Sequence, residues 1–244
     1  MTGPQRAVSD RARRAVVTGG AGSIGGAICA ALEASGHDVV SLDRRRRAHR
    51  PDDLVVDLAD AEQVRAAASE ILSGAGRCDV FVHAAADLSQ ATLAEIDLTT
   101  WRRVQAVNVE APLLLVQLLA PALAASGSGR VVLIGSDTVW QAPGPELLPY
   151  VTSKAALIGL TRVLALTLGP DGIAVTCVAP GLTDTPAART GLPGSAFTDV
   201  LARQALARTL VPEDVAATVA FLASPAGAAL TGQTVCVDGG LVTR

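Results

Sequence analysis

The sequence predicts one α/β domain, a doubly wound parallel sheet of about seven strands with helices on both faces. Three observations carry that expectation. Ala15-Val16-Val17-Thr18 is a short apolar run broken by Gly19-Gly20-Ala21-Gly22-Ser23-Ile24-Gly25-Gly26 and continued by a helical pattern through Ala34. Similar strand-type runs recur along the chain, each followed by a helix-type segment, as a parallel sheet with helical crossovers requires. No repeat, low-complexity tract or linker marks a second unit, and a 244-residue chain that is 50% apolar can fill a single large core.

Taken in order, residues 1–14 are basic, lack the apolar core of a secretory signal and read as a disordered leader; the domain occupies 15–244. Strand, glycine turn and helix form a phosphate-binding layout, in which glycines admit positive φ and aim a helix N-terminus at negative charge. Gly20-Ala-Gly22-Ser-Ile-Gly25 also satisfies G-x-G-x-x-G. The second strand, His37 to Asp43, ends in an acid about 20 residues beyond the glycines, where a dinucleotide fold holds ribose hydroxyls. Arg44 to Arg47 follow as a solvated rim, with Arg44 flanking the adenine. Further strands are expected at Leu54–Val56, Asp79–His83, Arg130–Gly135, Gly172–Val178 and Thr234–Val237. Helices are expected at Ala61–Leu72, at Thr99–Ala125 with a break or bend near Pro112 or Pro121, from Tyr150 to Leu168, and at Pro212–Ala223. The stretch from Pro180 to Ala196, rich in Gly, Pro and Thr, reads as a mobile loop over the cleft, without a regular element.

Composition excludes several functions. A net charge of −3 gives no basic footprint for nucleic acid. Cys29, Cys78, Cys177 and Cys236 stand singly in apolar stretches, so the expectation is reduced thiols in a cytoplasmic protein, with no metal site. The run Ala111–Ala125 is interrupted by Gln117 and Pro121 and is shorter than the roughly 20 residues that span a bilayer, so no membrane segment is expected.

One stretch carries the chemistry. The chain has a single tyrosine, Tyr150, and a single lysine, Lys154, and they fall four residues apart on a helix, where side chains share a face. An ammonium beside a phenol favours phenolate and lowers the phenol pKa by about 1–3 units, which makes the tyrosine a general acid/base. Ser136, delivered by the carboxyl end of the fifth strand, starts near the same cleft, because ligands of open α/β sheets bind at those strand ends. The chain's single asparagine, Asn108, lies in the long helix.

The carrying motifs are Thr18-Gly19-x-x-x-Ser23-Ile24-Gly25, Asp57-Leu58, His83-Ala84-Ala85-Ala86, Asn108, Ser136, Tyr150-x-x-x-Lys154, Pro180-Gly181-x-Thr183-x-Thr185 and Asp238-Gly239-Gly240. From Ala15 onward the chain resembles the short-chain dehydrogenase/reductase family, single-domain Rossmann enzymes that move hydride between a nicotinamide and an alcohol or ketone. The resemblance implies that Tyr150 exchanges a proton with the substrate oxygen, that Ser136 orients that oxygen, and that Asn108 anchors a proton-relay water. It further implies that Lys154 binds the nicotinamide ribose, and that Gly19, Gly22, Ser23, Ile24, Gly25, Asp43, Asp57, Leu58, Ala84, Ala85, Pro180, Gly181, Thr183 and Thr185 contact the cofactor. It implies a homotetramer or a dimer. Three departures stand out: Ser23 replaces the middle glycine, His83 and Ala86 replace Asn and Gly, and one extra residue separates Ser136 from Tyr150 in a segment containing Trp140. His83 is expected to fill the place of the Asn it replaces.

The expected function is therefore hydride transfer between NAD and a small cyclic or hydroxylated secondary alcohol or its ketone, NAD being preferred because Asp43 repels a 2′-phosphate. The alternatives are an NADPH-dependent ketoreductase on an acyl-carrier or polyketide substrate and a redox-silent dinucleotide-binding regulator.

Overall fold

A computed structural model describes residues 12–74 and 76–243. Seven parallel strands, β1 (Arg14–Thr18), β2 (Asp38–Asp43), β3 (Leu54–Val55), β4 (Val80–His83), β5 (Arg130–Ile134), β6 (Ala174–Pro180) and β7 (Thr234–Val237), lie in the order β3-β2-β1-β4-β5-β6-β7. The strands are apolar at nearly every position because both faces are covered. Val16, Phe81, Val131, Leu133 and Val175 face one core with α2 (Ala61–Gly74), α4 (Ala111–Ala125) and α5 (Leu148–Leu168). Ala15, Val17, Val80, Val82, Val132 and Ile134 face the other with α1 (Ser23–Ala34) and α8 (Pro212–Ala223).

Successive crossovers reverse direction between β3 and β4, so β1 has β2 on one side and β4 on the other. That reversal opens a crevice above the carboxyl ends of β1 and β4, the place where open α/β sheets take their ligands.

Three expectations are corrected. Of the expected leader, residues 1–11 lie outside the described residues, but Arg13 and Arg14 belong to the fold. Arg14 opens β1, and the Arg13 guanidinium donates to Ala223 O at 2.7 Å and Ser128 O at 2.9 Å, tying three chain ends together. The break expected near Pro112 takes the form of a π-turn just ahead of it. Pro112 sits in the first turn of α4, Pro121 is accommodated inside it, and the irregularity is a π-turn at Ala106–Glu110 between α3 (Leu98–Gln105) and α4. As a result the helical run Leu98–Ala125, like Leu148–Asp171, is long and apolar enough by composition to cross a bilayer. Its apolar stripe, Leu115, Leu119 and Leu123, is instead fully buried against the sheet. Finally, the loop expected over the cleft contains two short helices, α6 (Pro186–Gly191) and α7 (Ala196–Leu201). Pro186 is compatible with a helical first turn, and the Thr185 hydroxyl caps it by accepting from Ala188 N at 3.1 Å.

Candidate active site

The glycine turn at the end of β1 is built by close backbone approach. Gly19 has φ 76°, donates its N–H to Leu42 O at 2.9 Å, and leaves so little room that a Cβ there would lie 2.6 Å from Ala85 N. A Cβ on Gly25 would lie 2.1 Å from Gly19 O, so α1 reaches the turn only because both residues are glycine. Gly22 caps α1 without a side-chain bond, which leaves the first N–H groups of the helix, at Ser23 and Ile24, to meet an anion. Beside this turn lies a cavity of about 350 Å³ lined by Gly20, Ala21, Gly22, Gly26 and Arg45 to Ala48. Asp43 stands at its edge, with one carboxylate oxygen accepting from Ala21 N at 3.1 Å and the other from Arg45 N at 3.2 Å. These residues fit the pyrophosphate and adenosine ribose of a nicotinamide dinucleotide.

Arginines 44 to 47 are not all a solvated rim. Arg44 is exposed as expected, and Arg45 and Arg46 are exposed along the cavity. Arg47 turns inward. Its side chain is 12% exposed and pairs with Asp53 at 2.8 Å and Glu33 at 2.7 Å. Asp53 is buried, accepts also from Ser41 N at 2.9 Å, and pushes the Arg47 guanidinium above its usual range. The run looked uniform in sequence; Asp53, six residues on, is the partner that singles Arg47 out.

The loop after β4 is held from two sides. The Thr18 hydroxyl oxygen accepts from Ala84 N at 3.1 Å and Ala85 N at 3.2 Å, and lies 2.9 Å from Nδ1 of the buried His83. Nδ1 and the Thr18 hydroxyl share one hydrogen bond, while the buried Nε2 meets no hydrogen-bond partner among the described residues. Burial, then the Lys154 charge, holds this imidazole well below its ordinary pKa, hence neutral. From the other side, Asn108 Oδ1 accepts from Asp87 N at 2.7 Å, and Nδ2 donates to Asp87 O at 3.1 Å and Ser153 Oγ at 2.9 Å. Both amide protons of Asn108 are thus committed to positioning, and the π-turn is what aims the side chain into this network, as π-turns do at functional sites. Asp57 and Leu58 divide: the Asp57 carboxylate stays partly accessible and accepts from Ala59 N at 3.0 Å, whereas the Leu58 side chain is buried in the core.

The structure brings Ser136, Tyr150 and Lys154 together. Lys154 Nζ is 5.6 Å from the Tyr150 ring centroid and donates to Ile134 O at 2.7 Å. Ser136 Oγ lies 2.9 Å from the Thr138 hydroxyl. One electrostatic expectation is corrected. Burial pushes the Tyr150 phenol up to about 12, with the Ser136 hydroxyl pulling it back and the Asp137 carboxyl adding to the rise. Lys154 does not reverse this, because it lies by the ring and is itself pushed down to about 8 by burial. Tyr150 keeps some accessible surface while Lys154 is 2% exposed, so of the two shifts the lysine's is the less relieved by solvent.

Pro180 and Gly181 close β6, and Gly181 N donates to Val237 O at 2.9 Å. Thr183 is 5% exposed, donates to Gly181 O at 3.0 Å and pairs with Leu210, while Thr185 is the cap of α6. Asp137 was not singled out from sequence. The available signal was a carboxyl directly after Ser136 at the end of a wholly buried strand.

Comparison with known proteins now bears on this geometry. Residues 19–242 match the family model described as Enoyl-(Acyl carrier protein) reductase. The chain is 33% identical over 242 residues to the D-xylose 1-dehydrogenase of Caulobacter vibrioides, covering 94% of this chain and 96% of that one. The chain belongs to the short-chain dehydrogenase/reductase family. It is also 35% identical to the cis-4-hydroxycyclohexanecarboxylate dehydrogenase of Sinomonas cyclohexanicum, covering 93% of this chain and 96% of the relative. A short chain dehydrogenase from Burkholderia cenocepacia, solved in complex with NADP, superposes with a TM-score of 0.84 at 33% identity, covering 95% of this chain and 98% of that one. This short-chain dehydrogenase/reductase is an oxidoreductase that acts on alcohol substrates with a nicotinamide cofactor.

Proposed function

We propose that the enzyme transfers hydride between NAD(H) and a small cyclic or hydroxylated secondary alcohol or its ketone, with Tyr150 exchanging the proton. The observation that carries this reading is the convergence of a lone phenol, a buried ammonium 5.6 Å from its ring and the Ser136 hydroxyl at the carboxyl edge of β5. The nicotinamide supplies or accepts the hydride. Ser136 orients the substrate oxygen, and Tyr150, a proton donor at neutral pH with its phenol pushed up to about 12, protonates the oxygen as the ketone is reduced. Lys154 spends one donor on Ile134 O and keeps two for the nicotinamide ribose. Asn108 orders Asp87 in the loop after β4, and Gly19 to Gly25 would take the pyrophosphate on the α1 N-terminus.

NAD is preferred over NADP because the Asp43 carboxylate, bonded to the glycine turn through Ala21 N, would accept from the ribose hydroxyls and repel a 2′-phosphate, whereas exposed arginines contribute about 0–1 kcal/mol each. NADP is the competing reading, favoured by Arg45 and Arg46 lining the same cavity. The substrate alternative is a ketone carried on an acyl-carrier or polyketide chain. Leu113, Val163 and Leu166, 45%, 62% and 81% exposed on α4 and α5, support a homotetramer or dimer in which these helices are covered. Cys29, Cys78 and Cys177, buried and outside any disulfide, support a cytoplasmic setting.

The test is turnover of a panel of secondary alcohols, cyclic diols and aldoses with NAD and with NADP, followed by reduced-nicotinamide absorbance. Tyr150→Phe should lower kcat by about 10²–10⁴-fold while cofactor affinity is nearly retained. A Phe variant that keeps more than a tenth of the rate would sink the assignment. Lys154→Arg should weaken cofactor binding and turnover together, since a planar guanidinium does not reproduce a compact ammonium.

A further inference from the structure

One guanidinium ties together two strand ends that the sheet order keeps apart. Asp57 follows β3 and Asp87 follows β4, and β2 and β1 lie between those two strands. Arg103 on α3 reaches both. Its Nε donates to Asp87 Oδ2 at 3.1 Å, and its Nη1 stands 3.7 Å from Asp57 Oδ2. Arg102, one residue earlier, pairs with no carboxylate among the described residues, so the link belongs to Arg103 alone and not to the basic character of the helix.

Asp87 is gripped from several sides. Its other carboxylate oxygen accepts from Ser89 N at 2.9 Å and from the Ser89 hydroxyl, and its backbone N–H and C=O are both engaged by Asn108. Arg103 and Asn108 are five residues apart, and on an uninterrupted α-helix they would point about 140° away from each other. The π-turn at Ala106–Glu110 intervenes, and both side chains reach Asp87. The loop that carries Asp87 also backs on the glycine turn, since a Cβ on Gly19 would lie 2.6 Å from Ala85 N. At the other end of the link, Asp57 Oδ1 accepts from Ala59 N at 3.0 Å, whereas Oδ2 accepts no hydrogen bond from the described residues and is held by charge alone. That oxygen is steadied and still open to a donor.

We propose that Arg103 is a positioning residue for the nicotinamide dinucleotide, setting the Asp57 carboxylate on the β3 side of the crevice against the loop after β4 on the other side. It does so without touching the reacting atoms. The inference rests on the reading that this crevice holds the cofactor. Without the guanidinium, two carboxylates beside a site for an anionic ligand lose their counter-charge, and Asp87 keeps Asn108 but loses its outer tie.

Arg103→Gln retains a polar side chain and removes the charge. Calorimetric binding of NADH and NADPH to the free enzyme, with no substrate present, should weaken by about fivefold for the preferred dinucleotide, the scale of a partly exposed pair. The KM for that cofactor should rise with it, while kcat at saturating cofactor stays within about twofold of the wild type. In 1 M NaCl, where charges are screened beyond about 3 Å, the gap in affinity should close to less than about twofold. Arg103→Lys should recover only part of the loss, because a compact ammonium does not span both carboxylates as the guanidinium fork does. Equal affinity in the wild type and Arg103→Gln overturns the proposal. So does an additive double-mutant cycle with Asp87→Asn, since an arginine that touched the cofactor directly would lose the same affinity whether or not Asp87 is charged. Amide exchange of residues 84–89 in the free enzyme should be faster in Arg103→Gln, and unaltered exchange beside weakened binding also refutes positioning. A wild type that binds neither dinucleotide sinks instead the reading of the crevice, so the two failures are told apart.

Discussion

Two segments border the cleft, and they are held in different ways. On the cofactor side, the Arg44 to Asp53 loop closes on a buried ion pair, in which Arg47 meets Asp53 and Glu33 and also donates to Val39 O at 3.2 Å. On the substrate side, the segment from Leu182 to Ala202 is attached at its root, where Thr183 pairs with Leu210 and Asp184 N donates to Leu210 O at 2.8 Å. Beyond that root, α6 and α7 bury no residue. They are held by the exposed Asp184–Arg189 pair, by Arg189 stacked 5.5 Å from the Phe197 ring, and by an exposed bond from Arg203 to Gln141. The contrast teaches that one wall of the cleft is fixed by charge pairing inside the fold, while the other is held at its root and by exposed contacts alone.

The largest expected difference is in amide exchange. Exchange in the Leu182 to Ala202 segment should outrun that of Val131 to Ile134 by at least about a thousandfold, since loosely packed surface segments open with little free energy. Equal protection by mass-spectrometric exchange would erase the contrast. Next comes stability. Asp53→Ala leaves the half-buried Arg47 charge paired with Glu33 alone and should cost about 2 kcal/mol in urea unfolding. A loss below about 1 kcal/mol would mean that the clasp is ornamental.

Cofactor choice should shift by a smaller amount. Native enzyme should favour NAD over NADP in kcat/KM by at least about tenfold, or about 1.4 kcal/mol, and Asp43→Ala should narrow that ratio by freeing Arg45 and Arg46 to act. An unchanged ratio, or a native preference for NADP, refutes the assignment of that strand end. The smallest effect is expected in the lid. Asp184→Ala breaks an exposed pair and should alter stability by less than about 1 kcal/mol, while any change in KM reports on lid closure.

The strands and the catalytic helix were legible because their signals are local: an apolar run, a glycine turn, a helical spacing from Tyr150 to Lys154. What stayed hidden depends on pairs distant in sequence. Arg47 and Arg46 look alike until Asp53 folds back, and Asn108 meets Ser153 only across 45 positions of sequence. The irregularity at Ala106–Glu110 was legible in place, ahead of Pro112, but its kind was hidden, since no residue type signals a π-turn. The short helices α6 and α7 escaped notice because proline and glycine were read as breakers, although Pro186 begins a helix rather than ending one.

The lone tyrosine has a practical consequence. In most enzymes a reacting phenol is one absorber among many, and its ionisation is lost in the background. Here the chain contains a single phenol beside two indoles, Trp101 and Trp140, which do not titrate. A difference spectrum taken across alkaline pH at the tyrosinate band, to the red of thiolate absorption from the four cysteines, therefore reads the protonation of Tyr150 alone, with no label and no mutation, and the molecule serves as its own indicator for the step proposed for that phenol.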